Sequence, residues 1–472
     1  DMLVRDMYRD AGRELIPVGF VDDMARKVGM DIQGVRVLGI SAQIPELVEK
    51  HDIDLIILAL PSAHSKQMQR IVEICEQTDV PVRTLPRFQD LVEGRVAVNA
   101  LRDVGIDDLL GREAVTLDWA GINAELKDKR VLVSGAGGSI GAELCRQVAK
   151  IGPECLVLFE QGEFNLFEIE RELRRDYPKL SLEVCLGDVT DTILVDRVLA
   201  TFRPQVIFHA AAYKHVPMLE HQVRQAARNN VLGTRTVALA ADRHGVEAFV
   251  MISTDKAVNP ANVMGASKRV AEIFCQNLDR RSETRFITVR FGNVLGSAGS
   301  VVPLFREQLR AGGPLTVTHP EMIRYFMTIP EACLLILQAG AMGKGGEIFV
   351  LDMGEPVKIT YLAEQMIRLS GREPGTDIEI VYTGLRPGEK LFEELFHEKE
   401  LSGTAHEKIL LAQGRPVDWD HLNQRMQRLE HACQAYDEPA IMQLIRELVP
   451  EMQAPAMANT DNVIPFEAKA QK

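Results

Sequence analysis

The stretch Arg130-Val131-Leu132-Val133-Ser134-Gly135-Ala136-Gly137-Gly138-Ser139-Ile140-Gly141 runs from an apolar strand through a glycine-rich turn into the helical sequence Ala142-Glu143-Leu144-Cys145-Arg146-Gln147. Glycines let the chain turn tightly and let another group lie against the backbone, while a helix N-terminus offers N–H groups and a positive dipole end to a pyrophosphate. The next apolar run, Leu156-Val157-Leu158-Phe159, ends at Glu160, a carboxylate placed to accept hydrogen bonds from a ribose diol. After the third strand comes Leu186-Gly187-Asp188-Val189, where Asp188 is expected to meet an adenine amino group. Gly135, Gly137, Gly138, Ser139, Ile140, Gly141, Glu160, Asp188 and Val189 therefore read as a dinucleotide site. The acid at Glu160 favours NAD over NADP, because it would repel a 2′-phosphate.

Strand and helix signals alternate onward through Gln205 to His209 and Ala248 to Ser253, the rhythm of an α/β fold with a Rossmann-type, doubly wound parallel sheet. His209-Ala210-Ala211-Ala212-Tyr213-Lys214 puts small residues at the end of the fourth strand. Ala210 and Ala211 can lie against a cofactor, with Lys214 beside it. Asn230 is expected to start a helix and to hold local backbone in place, whereas His209 and His215 read as ordinary buried or rim histidines.

Upstream, Pro17 to Asp23, Asp54 to Pro61 and Pro81 to Leu85 read as buried parallel strands of a small, degenerate Rossmann-like module without a glycine loop of its own. The expected organisation is this module at 1–115, joined through Asp107 to Glu113 to the NAD-binding domain at 116–290. A smaller α/β substrate lobe follows at 291–450, with return elements to the core, and then a disordered tail at 451–472.

The chain of 472 residues is 46% hydrophobic and 26% charged, enough for two or three domains. Its net charge of -13 argues against a nucleic-acid groove. Seven scattered cysteines without a Cys-x-x-Cys predict a reducing compartment and no metal. No run approaches the ~18 apolar residues of a membrane span. Asp1 begins inside the amphipathic stretch Met2 to Met7, which suggests a piece of a longer protein.

The distinctive chemistry lies in Ser253-Thr254-Asp255-Lys256-Ala257-Val258-Asn259-Pro260 and Met264-Gly265-Ala266-Ser267-Lys268. With the glycine loop, Asp188, the His209 to Lys214 stretch and Asn230, these segments resemble an extended short-chain dehydrogenase/reductase. More narrowly, they are similar to the bacterial UDP-N-acetylglucosamine 4,6-dehydratases of surface-polysaccharide biosynthesis, of the long, membrane-anchored class. The likeness spans about Leu126 to Ala412.

That resemblance implies a redox-neutral dehydration: C4 of the sugar is oxidised, water leaves across C5 and C6, and the hydride returns to C6. Such chemistry needs a base at C5 and an acid at the C6 hydroxyl, and Lys256 and Asp255 fit these roles. A neutral Lys256 requires a lowered pKa, promoted by burial and by Lys268, and a protonated Asp255 requires an apolar surround. Successive strand residues face opposite ways, so both can reach one sugar only if the strand ends near Thr254. The wider superfamily carries a tyrosine four residues before the lysine, where this chain has Met264, which exchanges no proton. Thr254 is therefore expected to relay the C4 hydroxyl proton, and Lys268 to bind the nicotinamide ribose. By resemblance, methionine here marks the class that keeps the C5 configuration.

On the substrate side the resemblance assigns Asn293 to the diphosphate or sugar, Val301, Pro303 and Phe305 to the uracil segment, Arg324 and Arg386 to phosphate, and Glu389 to the uridine ribose, with Thr318 alongside. Arginine's planar fork suits phosphate. It further implies a UDP-sugar partner, a homo-oligomer, an anchor upstream of residue 1 and the cytoplasmic face of the inner membrane. A C5-inverting dehydratase or 4-epimerase of a UDP-sugar, and a non-catalytic NAD-sensing module, are the competing readings. An epimerase needs a proton relay at position 264 and has no use for the Asp255-Lys256 pair.

Overall fold

In a computed structural model the chain is described at residues 2–9, 15–60, 65–78, 80–85, 101–110, 115–394 and 401–452. The expected tail lies, from residue 453 on, outside the described residues, as do Pro61 and the connecting residues Gly111, Arg112 and Glu113. The chain divides into two compact units, one of Asp1–Ala114 with Gln365–Arg372 and one of Val115–Glu364 with Glu373–Lys472. No helix among the described residues is long and apolar enough to cross a membrane.

Among the described residues the first unit holds two small sheets. In one, Val35–Gly39 pairs parallel to Phe20–Val21 and antiparallel to Asp31–Ile32; in the other, Ile56–Leu58 pairs parallel to Val82–Thr84. The run from Pro17 to Asp23 is thus not a buried strand of one parallel sheet. Ile16, Val18 and Val21 are 77%, 47% and 39% exposed, so burial does not support a longer strand. The buried strand of that sheet is Val35–Gly39, where Val35 and Val37 alternate with polar or half-buried neighbours.

The second unit is built on one sheet of nine strands: β1 Arg130–Ser134, β2 Cys155–Glu160, β3 Leu182–Leu186, β4 Val206–His209, β5 Ala248–Thr254, β6 Arg285–Phe291, β7 Ile348–Leu351, β8 Leu401–Gly403 and β9 Ile409–Ala412. Their order is β8-β9-β7-β6-β5-β4-β1-β2-β3, parallel from β3 to β7, with β9 antiparallel to β7 and β8 antiparallel to β9. Val131–Val133, Leu156–Phe159 and Ala248–Ile252 are apolar throughout because helices cover both faces of the sheet. On one face α1 (Ser139–Ile151), α2 (Glu163–Asp176) and the helix Ile329–Met342 pack. The other carries α3 (Thr192–Phe202), α4 (Thr234–Arg243) and α5 (Val263–Asp279), with Leu422, Met426 and Leu444 of the C-terminal helices completing its apolar layer.

Strand order reverses between β1 and β4. At such a point two neighbouring loops diverge and leave a crevice at the carboxyl edge of the sheet. The β1–α1 turn, the loop after β4 and the end of β5 all open there. Short strands beyond β6, Asn293–Val294 with Ile323–Met327 and Leu315–Val317 with Ile380–Tyr382, build the opposite wall.

Candidate active site

The β1–α1 turn forms a cradle that has no room for a side chain at Gly135, Gly137 or Gly141. Gly135 has φ +70°, and a Cβ on it would lie 2.7 Å from the backbone nitrogen of Ala211; on Gly141 it would lie 1.9 Å from the Gly135 carbonyl oxygen. Glu160 is 8% exposed, and its carboxylate accepts from the N–H groups of Gly137 at 3.1 Å and Gly162 at 2.8 Å. It therefore fixes the loop as well as lining, with Gly135, Gly138, Val189, Ala210 and Ala211, the small cavity beside it. The helix-start geometry, glycine backbone and terminal carboxylate fit a dinucleotide. Asp188 is not on that wall: its carboxylate accepts from the Thr190 N–H at 2.8 Å and lies 3.9 Å from Arg228. Arg171 and Arg174 on α2 are paired with Glu168 and Glu170, each at 2.9 Å.

Asn230 does not start a helix. It lies in a π-helical turn, Ala227–Gly233, inside continuous helix between Val223 and Arg243. From there its amide accepts from the Tyr213 N–H at 2.8 Å and donates to the Tyr213 carbonyl and the Ser267 hydroxyl, both at 3.0 Å. It thus ties the loop carrying Lys214 to α5. His209 is fully buried, 2.7 Å from the Ser134 hydroxyl through Nδ1 and 3.0 Å from the Thr234 hydroxyl through Nε2. Thr234 spends its own proton on the Asn230 carbonyl, so Nε2 carries the ring proton. Burial, with Lys268 adding to it, pushes the imidazole down to about 3, which leaves a neutral structural residue.

β5 ends at Thr254, and Asp255–Ala257 form a single 3-10 turn. That turn, rather than strand alternation, sets the direction of the Asp255 and Lys256 side chains. Asp255 is 2% exposed, and its Oδ1 accepts from the Thr254 hydroxyl at 2.8 Å and from the Lys256 ammonium at 3.1 Å. Lys256 also donates to Asn293 Oδ1 at 3.1 Å and lies 3.5 Å from Glu393. The expected apolar surround of Asp255 is therefore absent. The expected fall in the Lys256 pKa is reversed too: desolvation disfavours its ammonium, but Asp255 and Glu393 outweigh that and hold it above the ordinary lysine value.

α5 begins at the Asn262 cap, whose side chain accepts from the Gly265 N–H, and presents Met264, Lys268 and Glu272 on one face at four-residue spacing. Met264 and Lys268 are 4% exposed and line the main cavity. Lys268 is pushed down to about 8, chiefly by burial, with Glu272 opposing the shift. Glu272 is fully buried and binds Arg290 at 2.7 and 2.5 Å and the Ser253 hydroxyl at 2.6 Å, which pins the last turn of β5 to α5 and β6.

Of these groups Thr254, Lys256, Met264 and Lys268 open on a cavity of ≈ 980 Å³, and Asp255 lies behind its wall, joined to it through Thr254 and Lys256. Gly138, Ser139, Ile140, Gly141, Ala210, Lys214, Thr254 and Lys256 line its floor, and Asn293, Val301, Thr318, Arg324, Arg386 and Glu389 line its far wall. Pro303 and Phe305 do not reach it. Residues Val301–Arg310 form a helix, so Leu304 shares the cavity face with Val301 while Phe305, one residue on, turns into the lobe's core at 0% exposed. Arg324 is 6% exposed and donates to the carbonyls of Ile323, Leu391 and Lys390 at 2.7, 3.1 and 2.7 Å, so much of its fork is held within the protein. Arg386 is exposed, and Glu389 accepts from its backbone N–H at 3.2 Å. Leu304 and Glu393 were not foreseen; helical spacing from Val301 could have found the first.

Residues 131–414 match a family model described as polysaccharide biosynthesis protein, and residues 1–86 match one described as a CoA-binding domain. The chain is 50% identical over 412 residues to a capsular polysaccharide biosynthesis protein of Staphylococcus aureus, covering 86% of this chain and 69% of that protein. It is 34% identical over 285 residues to a UDP-glucose 4-epimerase of Rickettsia canadensis, covering 58% of this chain and 80% of the epimerase. Among solved structures, that of Pen from Bacillus thuringiensis superposes with a TM-score of 0.57 at 33% identity, covering 61% of this chain and 90% of Pen.

Proposed function

The chain belongs to the polysaccharide biosynthesis protein family, and on that premise we propose that it is an NAD-dependent 4,6-dehydratase that converts UDP-N-acetylglucosamine to a UDP-4-keto-6-deoxy-N-acetylhexosamine with C5 retained. One observation carries this reading: a single carboxylate oxygen, Asp255 Oδ1, meets both the Thr254 hydroxyl and the Lys256 amine, two residues that line the cavity. Thr254, Asp255 and Lys256 can thus pass protons among three neighbouring sugar positions.

The glycine loop, Glu160 and Lys268 would hold the nicotinamide cofactor, which when bound supplies reversible hydride transfer. NAD is favoured over NADP because the acid Glu160, fixed by the Gly137 and Gly162 N–H groups, would repel a 2′-phosphate.

As C4 is oxidised, Thr254 Oγ1 takes the hydroxyl proton and hands its own to Asp255 Oδ1, along the 2.8 Å hydrogen bond. A 4-ketone acidifies the C5 proton, which neutral Lys256 removes; Asp255 returns its proton to the C6 hydroxyl, the C6–O bond breaks and water leaves. Lys256, whose ammonium protons exchange with solvent, then delivers one of them to C5 on the face from which the original proton was taken, which retains configuration. Asp255 begins and ends as a carboxylate and Lys256 as an amine, so the cycle balances. In the resting protein Lys256 is an ammonium, so turnover begins with loss of that proton.

The epimerase reading draws on the Rickettsia relative. Epimerisation at C4 needs no base at C5, and Met264 offers no proton at the superfamily's tyrosine position. Incubation of the purified protein with UDP-N-acetylglucosamine and catalytic NAD tests the choice by mass spectrometry. Loss of one water per sugar is expected; an isomer of unchanged mass would instead establish the epimerase.

A further inference from the structure

The proton-handling cluster has a member that the reaction scheme leaves unused. Glu393 follows the loop that carries Arg386 and Glu389, and its side chain is 5% exposed. It is absent from the cavity wall that Lys256 and Arg324 share. Its Oε1 lies between two cations, 3.5 Å from Lys256 Nζ and 3.7 Å from Arg324 Nε. Arg324 in turn lies 3.6 Å from Glu389. A buried carboxylate thus bridges the base and an arginine of the substrate wall.

We propose that Glu393 is a positioning residue for the acid–base step: it holds Lys256 Nζ beside Asp255 and Asn293 and stabilises the positive charge that Lys256 acquires as it takes the C5 proton. The proposal rests on the dehydratase reading.

Three oxygens surround Lys256 Nζ, from Asp255, Asn293 and Glu393, which matches the three N–H directions of an ammonium. The charged groups that act on it are Asp255 and Glu393, which favour the ammonium, and Arg324, which opposes it; burial opposes it as well. Proton abstraction turns an amine into that ammonium. Glu393 therefore interacts more strongly with the charge formed during the step than with the neutral base before it, the condition for lowering a barrier.

The test is the initial rate of 4-keto-sugar formation, at saturating UDP-N-acetylglucosamine and NAD, across a pH series for wild type, Glu393→Gln and Glu393→Asp. Removing the anion should move the midpoint of the rising limb to lower pH by about one unit or more. A weaker base should also lower the plateau, by about tenfold. Glu393→Asp, which withdraws the carboxylate by one methylene, should shift the midpoint the same way by less. A lowered plateau with an unmoved midpoint in both variants would make Glu393 merely structural and overturn the proposal. If Glu393→Gln does not fold, Glu393→Asp decides by the same criterion. Titration of the methylated Lys256 amine by ¹³C NMR separates the two readings: a wild type that forms no keto sugar sinks the dehydratase, while an unchanged Lys256 titration in the variants sinks the role of Glu393.

Discussion

The α-carbon of Gly265 lies against the carbonyl oxygen of Lys256, so close that a Cβ on Gly265 would stand 2.1 Å from that oxygen. Glycine here is what lets the first turn of α5 seat the 255–257 turn. Gly265→Ala must push the two apart by more than an ångström, and overpacking of this kind costs about 1–3 kcal/mol. Because the displaced atoms belong to the residue that bears the base, kcat should fall by about a hundredfold. KM for the UDP-sugar should change far less. Steady-state kinetics beside a thermal melt checks this: a kcat loss no larger than the KM change would show that the seating does not matter to catalysis.

Thr254 is the sole hydroxyl bonded to Asp255 among the described residues, at 2.8 Å. Thr254→Val keeps the shape and removes the relay, so cofactor reduction in a single turnover should slow by about a hundredfold or more, the scale of a lost proton-transfer group. Thr254→Ser should retain most of the rate. Stopped-flow absorbance of the reduced nicotinamide measures both, and equal rates in the two variants would remove Thr254 from the C4 step.

Lys268 gives a pH signature in the cofactor-free protein. Its pKa is about 8 in the folded chain and about 10.4 when unfolded. A depressed lysine is a penalty that is full below about pH 8 and relieved as pH rises toward 10.4, because in that window the unfolded chain binds the extra proton. Lys268→Met should therefore be more stable than wild type at neutral pH, by up to ~3 kcal/mol, and should lose that advantage as pH approaches 10. Denaturant melts at the two pH values check it, and a difference independent of pH would contradict the assignment.

The buried histidine behaves in the acid range. His209 has its folded pKa at about 3, against an ordinary value of 6.5, so its contribution falls away as pH drops from 6.5 toward 3, where only the unfolded chain takes up the proton. His209→Gln should flatten the acid side of the stability curve relative to wild type. Equal acid slopes in the two proteins would mean that His209 is not held neutral.

What could be read from the sequence followed from local rules. Ser134 to Gly141 is legible because each glycine answers a steric demand inside a few residues, and Thr254 was expected to end its strand because Asp255 and Lys256 could not otherwise share a site. Long-range partners were not legible. Glu393 comes to Lys256 from far along the chain, and with Asp255 it holds that lysine above its ordinary value, opposite to the expected fall. Resemblance along the segment points Phe305 at the ligand, whereas helical phase gives that face to Val301 and Leu304. Asn230 is a residue type that suits a helix start, and no sequence signal marks the π-helical turn, inside continuous helix, in which it lies.

The central claim, that Thr254, Asp255 and Lys256 carry out an elimination and re-protonation on one face of the sugar, is tested most directly by NMR of the product formed from UDP-N-acetylglucosamine in deuterated water. The account predicts a 4-keto-6-deoxy sugar carrying solvent deuterium at C5 in the original configuration in wild type, and none from Lys256→Ala. Turnover that leaves C5 protonated, or full deuterium incorporation by the Lys256→Ala protein, would contradict it.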